Sequence, residues 1–101
     1  MDNKMSVIGV VVLTYIKPLN EVDNLLPAHV EWLKKGYAKG LFLASGRKIP
    51  RSGGVILAKC DDEEALKSYL SQDPFQQSGV VKVELIPFEA TMMAAELKDI
   101  L

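Results

Sequence analysis

One histidine is the only side chain in this 101-residue chain of a type that gains and loses a proton near neutral pH. Any ordinary general acid–base chemistry would therefore centre on His29. This residue stands on the apolar stripe of a predicted helix, between Leu26 and Leu33. A histidine at such a place can equally be an interior residue with satisfied hydrogen bonds, so the sequence leaves both interpretations open.

A carboxylate that could act with this histidine is Asp73, which directly precedes Pro74 and Phe75. Aspartate is favoured as a helix N-cap and proline at the first helical position, so capping alone would explain Asp73. A carboxylate that accepts the Nδ1 proton of His29 would also fix the ring tautomer and leave Nε2 to take a proton from a ligand. The two roles are compatible because a carboxylate has two oxygens.

Three further side chains, those of Tyr15, Ser45 and Arg47, are candidates for holding a small ligand. Arg47, Lys48 and Arg51 form a cluster of positive charge, which is either a solvated loop or a site where Arg47 binds a carboxylate or phosphate through two parallel donors. Ser45 ends a predicted strand, where its hydroxyl could orient a ligand or simply form a turn. Tyr15 could supply a phenol to a pocket or lie in a subunit interface.

No other catalytic or metal-binding pattern is present in the sequence. A single cysteine, Cys60, can form neither an intrachain disulfide nor a thiolate metal cluster, and the acidic residues Asp61 and Asp62 that follow it disfavour a thiolate. The sequence lacks the motifs of serine nucleophiles, zinc sites, calcium loops and nucleotide-binding glycine loops. We therefore expect neither a metal nor a cofactor.

The composition is typical of one folded domain in a reducing compartment. Hydrophobic residues make up 49% of the chain, and 12 basic against 13 acidic residues give a formal net charge of -1, which predicts no affinity for nucleic acid or anionic lipid. The apolar run Val7–Ile16 is shorter than the roughly 20 residues of a membrane-spanning helix. Residues 1–6 show no secretion signal, so we expect a cytoplasmic protein.

Hydrophobic periodicity and turn residues predict the element order βαββαβ, followed by a C-terminal helix. The helix around His29 is expected to be kinked or divided at Pro27, and Gly53 and Gly54 are expected to be turn residues. With right-handed crossovers, this order predicts an α+β fold, the ferredoxin-like sandwich. The predicted elements are a strand at 7–16, a helix up to Gly36, strands at 41–45 and 55–60, a helix after Asp62, one turn after Asp73, a strand at 81–88 and a helix at 91–101.

The first predicted strand is apolar on both of its alternating faces, although two helices can cover only one face of the sheet. A monomer would therefore leave an apolar sheet surface exposed to water. We expect a second copy to cover it, which makes the protein a homodimer or a higher homo-oligomer.

Four segments of the chain resemble the YciI-like proteins, a family of small bacterial members of the dimeric α+β-barrel superfamily. They are TYIKPL from Thr14, LLPAHVEWLKKGYAKGLFLASG from Leu25, GGVILA from Gly53 and DPF from Asp73. The resemblance implies one domain over residues 1–101, with a core at about 6–88 and an extra tail helix at about 91–101. It also implies that His29 and Asp73 form an active-site dyad. The chain departs from the family at Gly46-Arg47, where members commonly have Gly-Pro.

Two functions follow from these residues together with the resemblance. The first is a cofactor-free enzyme of the isomerase, lyase or dehalogenase type, in which His29 and Asp73 are catalytic and Tyr15, Ser45 and Arg47 bind a small organic substrate. The second is a non-catalytic module on the same fold that binds a small molecule or another protein.

Overall fold

The computed structural model describes residues 6–101; residues 1–5, which belong to the segment without a predicted secretion signal, lie outside them. The elements follow the predicted order. They are β1 (Ser6–Tyr15), α1 (Leu19–Ala38), β2 (Phe42–Arg47), β3 (Gly53–Lys59), α2 (Glu63–Leu70), α3 (Pro74–Gln77), β4 (Val81–Ala90) and α4 (Ala95–Lys98). Within these residues no helix is both long and apolar enough to cross a membrane.

The four strands form one antiparallel sheet in the order β2-β3-β1-β4. The long central strand β1 pairs with β3 on one side and with β4 on the other, so that Val11 lies opposite both Ile56 and Leu85. This topology confirms the predicted ferredoxin-like α+β sandwich, the fold class of the dimeric α+β barrels.

The two faces of the sheet have different surroundings because successive side chains of a strand point to opposite faces. Val11 and Leu13 of β1 and Ile56 of β3 belong to one buried core, which also contains Val22 of α1 and Leu66 of α2. We call the opposite surface the open face. It carries alternate residues of β1, β3 and β4: Val10, Val12, Val55, Leu57, Ile86 and Phe88. Its large side chains remain accessible, with exposed fractions of 38% for Leu57, 45% for Ile86 and 46% for Phe88.

A kink or a division was expected at Pro27, and the first helix does not divide there. α1 is a single helix of 20 residues with Pro27 in its interior. Proline removes one backbone hydrogen-bond donor from the helix. Val22 before it and His29 after it are nevertheless both buried on the same helix face. Packing on both sides of the proline therefore keeps the two halves in one helix.

The β2–β3 hairpin is longer than predicted, because β2 continues to Arg47 and β3 begins at Gly53. Gly53 is thus a strand residue rather than a turn residue. A Cβ atom at this position would lie 1.8 Å from the backbone oxygen of Leu13. Glycine is required there because it lets β3 approach β1 closely.

The C-terminal tail is less regular than the predicted helix over 91–101. Only Ala95–Lys98 are helical, and none of these four residues is buried. Leu97 and Ile100 are 36% and 48% exposed. The apolar stripe of the tail therefore lacks a surface to pack against within residues 6–101, which explains why tertiary contacts do not extend the helix.

The packing of α1 on β2 predicts that Gly36→Ala destabilises the protein. A Cβ atom at Gly36 would lie 2.3 Å from the ring of Phe42, which is 4% exposed and contacts the rings of Trp32 and Tyr69. Alanine favours helix by about 1 kcal/mol over glycine, but overpacking typically costs about 1–3 kcal/mol. We expect urea titration to show a lower free energy of unfolding.

Gly46→Ala is the matched control, because a Cβ atom there has no neighbour within 4 Å. It should change the free energy of unfolding by less than about 1 kcal/mol. A Gly36→Ala variant as stable as the parent would contradict the packing described for Phe42.

Candidate active site

His29 is positioned by the buried side of α1, which also includes Val22, Trp32 and Gly36. Only 7% of the surface of His29 is exposed to solvent. Nδ1 of the imidazole lies 2.7 Å from Oδ1 of Asp73, 44 residues further along the chain. The structure therefore brings together the two residues that the sequence analysis proposed as a pair.

Asp73 is at the same time the N-cap of the one-turn helix α3, as predicted. Its Oδ1 accepts the backbone N–H of Phe75 at 2.9 Å, and Pro74 occupies the first turn. Capping and the contact with His29 thus fall on the same oxygen rather than on two, and Oδ2 has no partner among residues 6–101. Since Asp73 is 1% exposed, the imidazole and the backbone N–H supply its stabilisation in place of water.

The aromatic ring of Phe75 fixes the orientation of the imidazole. The two rings are stacked, with centroids 3.9 Å apart and an interplanar angle of 7°. On the other side, the ring of Trp32 is tilted against His29 at 5.6 Å. The sequence analysis did not propose Phe75 as a site residue; its place two residues after the capping aspartate was the available signal.

A cavity of about 250 Å³ lies between α1 and the β2–β3 hairpin, with His29 in its wall. All three predicted ligand-binding residues, Tyr15, Ser45 and Arg47, line it. Because Nδ1 of His29 is held by Asp73, Nε2 is the ring nitrogen that remains for a molecule in the cavity. The other lining residues are Leu13, Leu26, Val30, Leu33, Gly46, Gly53, Gly54, Val55, Ile56 and Phe75.

The basic cluster predicted from the sequence separates into three different environments. Arg51 forms an ion pair of 2.6 Å with Asp23 of α1, and Lys48 donates to Oγ1 of Thr14 at 3.0 Å. The hydrogen bond with Asp23 raises the pKa of Arg51, and the same contact lowers the pKa of Asp23. Arg47 is the member of the cluster that lines the cavity, and its guanidinium has no ion pair within residues 6–101.

Ser45 and Tyr15 are each held by a neighbour from another part of the chain. Ser45 lies inside β2 instead of at a turn, and its Oγ is 2.8 Å from the hydroxyl of Tyr37 on α1. The guanidinium of Arg51 lies over the Tyr15 ring at 5.6 Å, and the edge of that ring contacts Phe75. No periodicity indicates either contact, because both join residues from different elements.

Cys60 has the properties of a structural thiol. It is buried, and burial raises the pKa of its thiol, as do the charges of Glu63 and Asp61. Both effects disfavour the reactive thiolate, in agreement with the sequence analysis. Among residues 6–101, no group of three His, Cys, Asp or Glu side chains is arranged to hold a metal ion.

Comparisons with known proteins support the same fold. The family model described as the YCII-related domain matches residues 8–89. The fold is similar to that of 5-chloro-2-hydroxyhydroquinone dehydrochlorinase from Burkholderia phenoliruptrix AC1100, solved in complex with 2,5-dihydroxybenzoquinone, with a TM-score of 0.65. That similarity covers 80% of this chain and 90% of the dehydrochlorinase at 15% sequence identity, which shows a common fold. No curated protein matches the chain significantly.

The hydrogen bond between His29 and Asp73 predicts a distinctive proton resonance. A proton shared between an imidazole nitrogen and a carboxylate should appear far downfield in the ¹H spectrum, and Asp73→Asn should move it upfield because a neutral amide oxygen is a weaker acceptor. With a single histidine in the chain, ¹⁵N-labelled ring signals identify it without ambiguity.

Asp62→Asn is the matched control, since Asp62 caps α2 through the backbone N–H of Ala65 and has no contact with the imidazole. It should leave the resonance unchanged. An identical spectrum for Asp73→Asn would contradict the pairing and leave Asp73 with its capping role alone.

Proposed function

The chain belongs to the YCII-related domain family, and from this premise we propose that it is a cofactor-free enzyme for general acid–base chemistry on a small organic substrate. One observation carries the proposal. The imidazole of His29 is held by the buried carboxylate of Asp73 at 2.7 Å and borders a cavity large enough for a small molecule. A base, an orienting group and a binding space therefore lie together.

In this proposal His29 is the general base. Asp73 accepts the Nδ1 proton, which selects the tautomer whose Nε2 carries a lone pair. When Nε2 takes a proton from the substrate, the ring becomes an imidazolium, and the carboxylate stabilises its positive charge. The stacked ring of Phe75 keeps the imidazole in the same plane throughout.

The reactions within reach are those that begin with the removal of a proton. Abstraction next to a carbonyl gives an enolate, and return of the proton to another atom completes an isomerisation. In an elimination, the electron pair of the broken C–H bond forms a double bond while a leaving group such as chloride departs with its own pair. The solved structure with the similar fold is that of a dehydrochlorinase in complex with a benzoquinone, which supports the inclusion of elimination from cyclic compounds.

The alternative is a non-catalytic module that binds a small molecule or another protein. One observation favours it: capping of α3 accounts for the position of Asp73 without catalysis. A largely apolar cavity is also sufficient for binding alone. Ligand affinity that is independent of pH, without turnover, would support this function.

Self-association forms part of the proposal. We propose that a second copy covers the open face and makes a homodimer or a higher oligomer. The only cysteine is buried and free, and we place the protein in the bacterial cytoplasm, where a reducing environment keeps such a thiol reduced.

The catalytic proposal predicts turnover that depends on His29. In D₂O, a panel of small ketones, keto acids and chlorinated hydroxy-ring compounds should show deuterium uptake by NMR or chloride release. His29→Gln should lower the rate by about 10²–10⁴-fold, the usual contribution of a positioned acid–base group. Asp73→Asn should lower kcat because it removes the charge that stabilises the imidazolium.

Lys34→Gln serves as the control, since Lys34 lies on the same helix as His29 and pairs only with the exposed Glu31. Its rate should equal that of the parent. Turnover that persists unchanged in His29→Gln would contradict the assigned base, whereas binding without turnover across the panel would favour the non-catalytic module.

The proposed assembly predicts a mass above that of the 11.1 kDa chain in size-exclusion chromatography with light scattering. Ile86→Lys should lower the mass, because it places a charge on the open face, where Ile86 lies beside Val10. Lys34→Glu on the outer side of α1 is the control and should assemble like the parent. A parent protein that remains monomeric at micromolar concentration would contradict the proposal.

A further inference from the structure

Part of the cavity wall is built from the edge strand β2. Ser45 and Arg47 lie two residues apart on β2, so their side chains emerge on the same face. That face is the helix-covered one, because Ser45 is paired with Ile56 of the buried core. A hydroxyl and a guanidinium from the same face of β2 therefore border the cavity that His29 also lines.

Arg47 brings a positive charge to the wall of the cavity, and among residues 6–101 this charge acts on Asp23 without forming a salt bridge with it. The neighbouring cations already have partners: Arg51 forms an ion pair with Asp23, and Lys48 donates a hydrogen bond to Thr14. No aspartate or glutamate within residues 6–101 lines the cavity. The parallel N–H groups of a guanidinium match the two oxygens of a carboxylate.

Tyr37 holds the hydroxyl of Ser45 in position beside Arg47. The two hydroxyls are 2.8 Å apart, and Tyr37 reaches β2 from the C-terminal half of α1, where its ring edge packs against Phe42. When Tyr37 donates its proton to Oγ of Ser45, the Ser45 hydroxyl keeps its own proton for a further acceptor. Tyr37 is therefore a positioning residue, which holds a second donor beside Arg47.

We propose that the cavity binds small cyclic or branched monocarboxylates, with the carboxylate on Arg47 and Ser45 and the apolar body towards Leu33 and His29. The cavity of about 250 Å³ lies below the range of about 300–1,000 Å³ typical of drug-sized ligands, so the body of the ligand must be small. The single charge of the guanidinium balances the single charge of a carboxylate, whereas a phosphate dianion would leave one charge unpaired. The inference deepens the proposed function, on which it rests, by naming the substrate class.

The test is a binding titration that requires no turnover, so its outcome is separate from that of the catalytic assay. The probes are benzoate, cyclohexanecarboxylate and pivalate, each paired with its neutral amide of nearly the same shape. The ring signals of the single histidine report occupation of the cavity at constant pH. At least one acid should bind about tenfold or more tightly than its amide, the usual advantage of a hydrogen bond to a charged group.

Three single variants, one double variant and one control assign the preference to residues. Arg47→Gln should remove the preference for the acid and leave the affinity for the amide within about twofold. Ser45→Ala and Tyr37→Phe should each weaken binding of the acid several-fold, and the double variant should be no weaker than Ser45→Ala, because Tyr37 acts through Ser45. Lys48→Gln, which removes a neighbouring cation outside the cavity, should retain the preference.

Equal affinity for acid and amide in the parent would overturn the inference, as would no binding of any acid at millimolar concentration. A preference that survives in Arg47→Gln would overturn the role of Arg47. Additive effects of Ser45→Ala and Tyr37→Phe would overturn the positioning role of Tyr37, whereas the expected non-additivity would support it. None of these results depends on whether His29 acts as a base.

Discussion

The buried hydrogen bond between His29 and Asp73 constrains the rest of the helical layer. Taking two ionisable groups out of water costs several kcal/mol per charge, so such a pair persists only where hydrogen bonds and packing compensate. Here the backbone N–H of Phe75 gives Asp73 a second donor, and the Phe75 ring stacks on the imidazole at 3.9 Å. The one-turn helix α3 therefore has two functions in one turn, because it caps itself with Asp73 and closes over His29.

A second aromatic contact, between Trp32 and Tyr69, holds α1 against α2. It thereby keeps His29 and Asp73 in position relative to each other. Trp32 donates from Nε1 to the carbonyl oxygen of Tyr69 at 3.2 Å, and the Tyr69 hydroxyl donates to the carbonyl oxygen of Trp32 at 2.7 Å. The two rings are also stacked, with centroids 5.1 Å apart. Burial raises the pKa of the Tyr69 phenol, and the nearby Asp73 carboxylate adds to this effect, so the phenol remains the neutral donor that the contact needs. Trp32 lies one helical turn after His29, so the contact between Trp32 and Tyr69 is adjacent to the candidate active site.

The sheet separates two kinds of surface that the same strands must provide. Residues of β1 and β3 on the helix-covered side form the core and part of the cavity wall, whereas their neighbours in sequence form the open face. The edge strand β2 carries polar side chains on the cavity side, and its pairing with β3 places Ser45 and Arg47 opposite α1. The two surfaces meet at Val55, which belongs to the open face and also lines the cavity.

How much of this protein was determined by its sequence depends on the range of the interactions. Local patterns predicted the element order, the N-cap Asp73 and a place for His29 on the apolar side of its helix, because capping and amphipathic periodicity act within a few residues. The pairing of His29 with Asp73 was proposed from the combination of histidine chemistry and the family resemblance, but their contact at 2.7 Å joins residues 44 positions apart, and only the packing of α1 on α3 decides it. The same reason explains the failures. Pro27 stays in a continuous helix because buried neighbours on both sides hold it, Gly53 belongs to a strand because β1 lies too close for a side chain, and Tyr37 was overlooked because its partner Ser45 lies on another element. Sequence determines which side chains can do chemistry, and the tertiary structure decides which of them meet, since contacts between distant segments depend on the relative placement of whole elements.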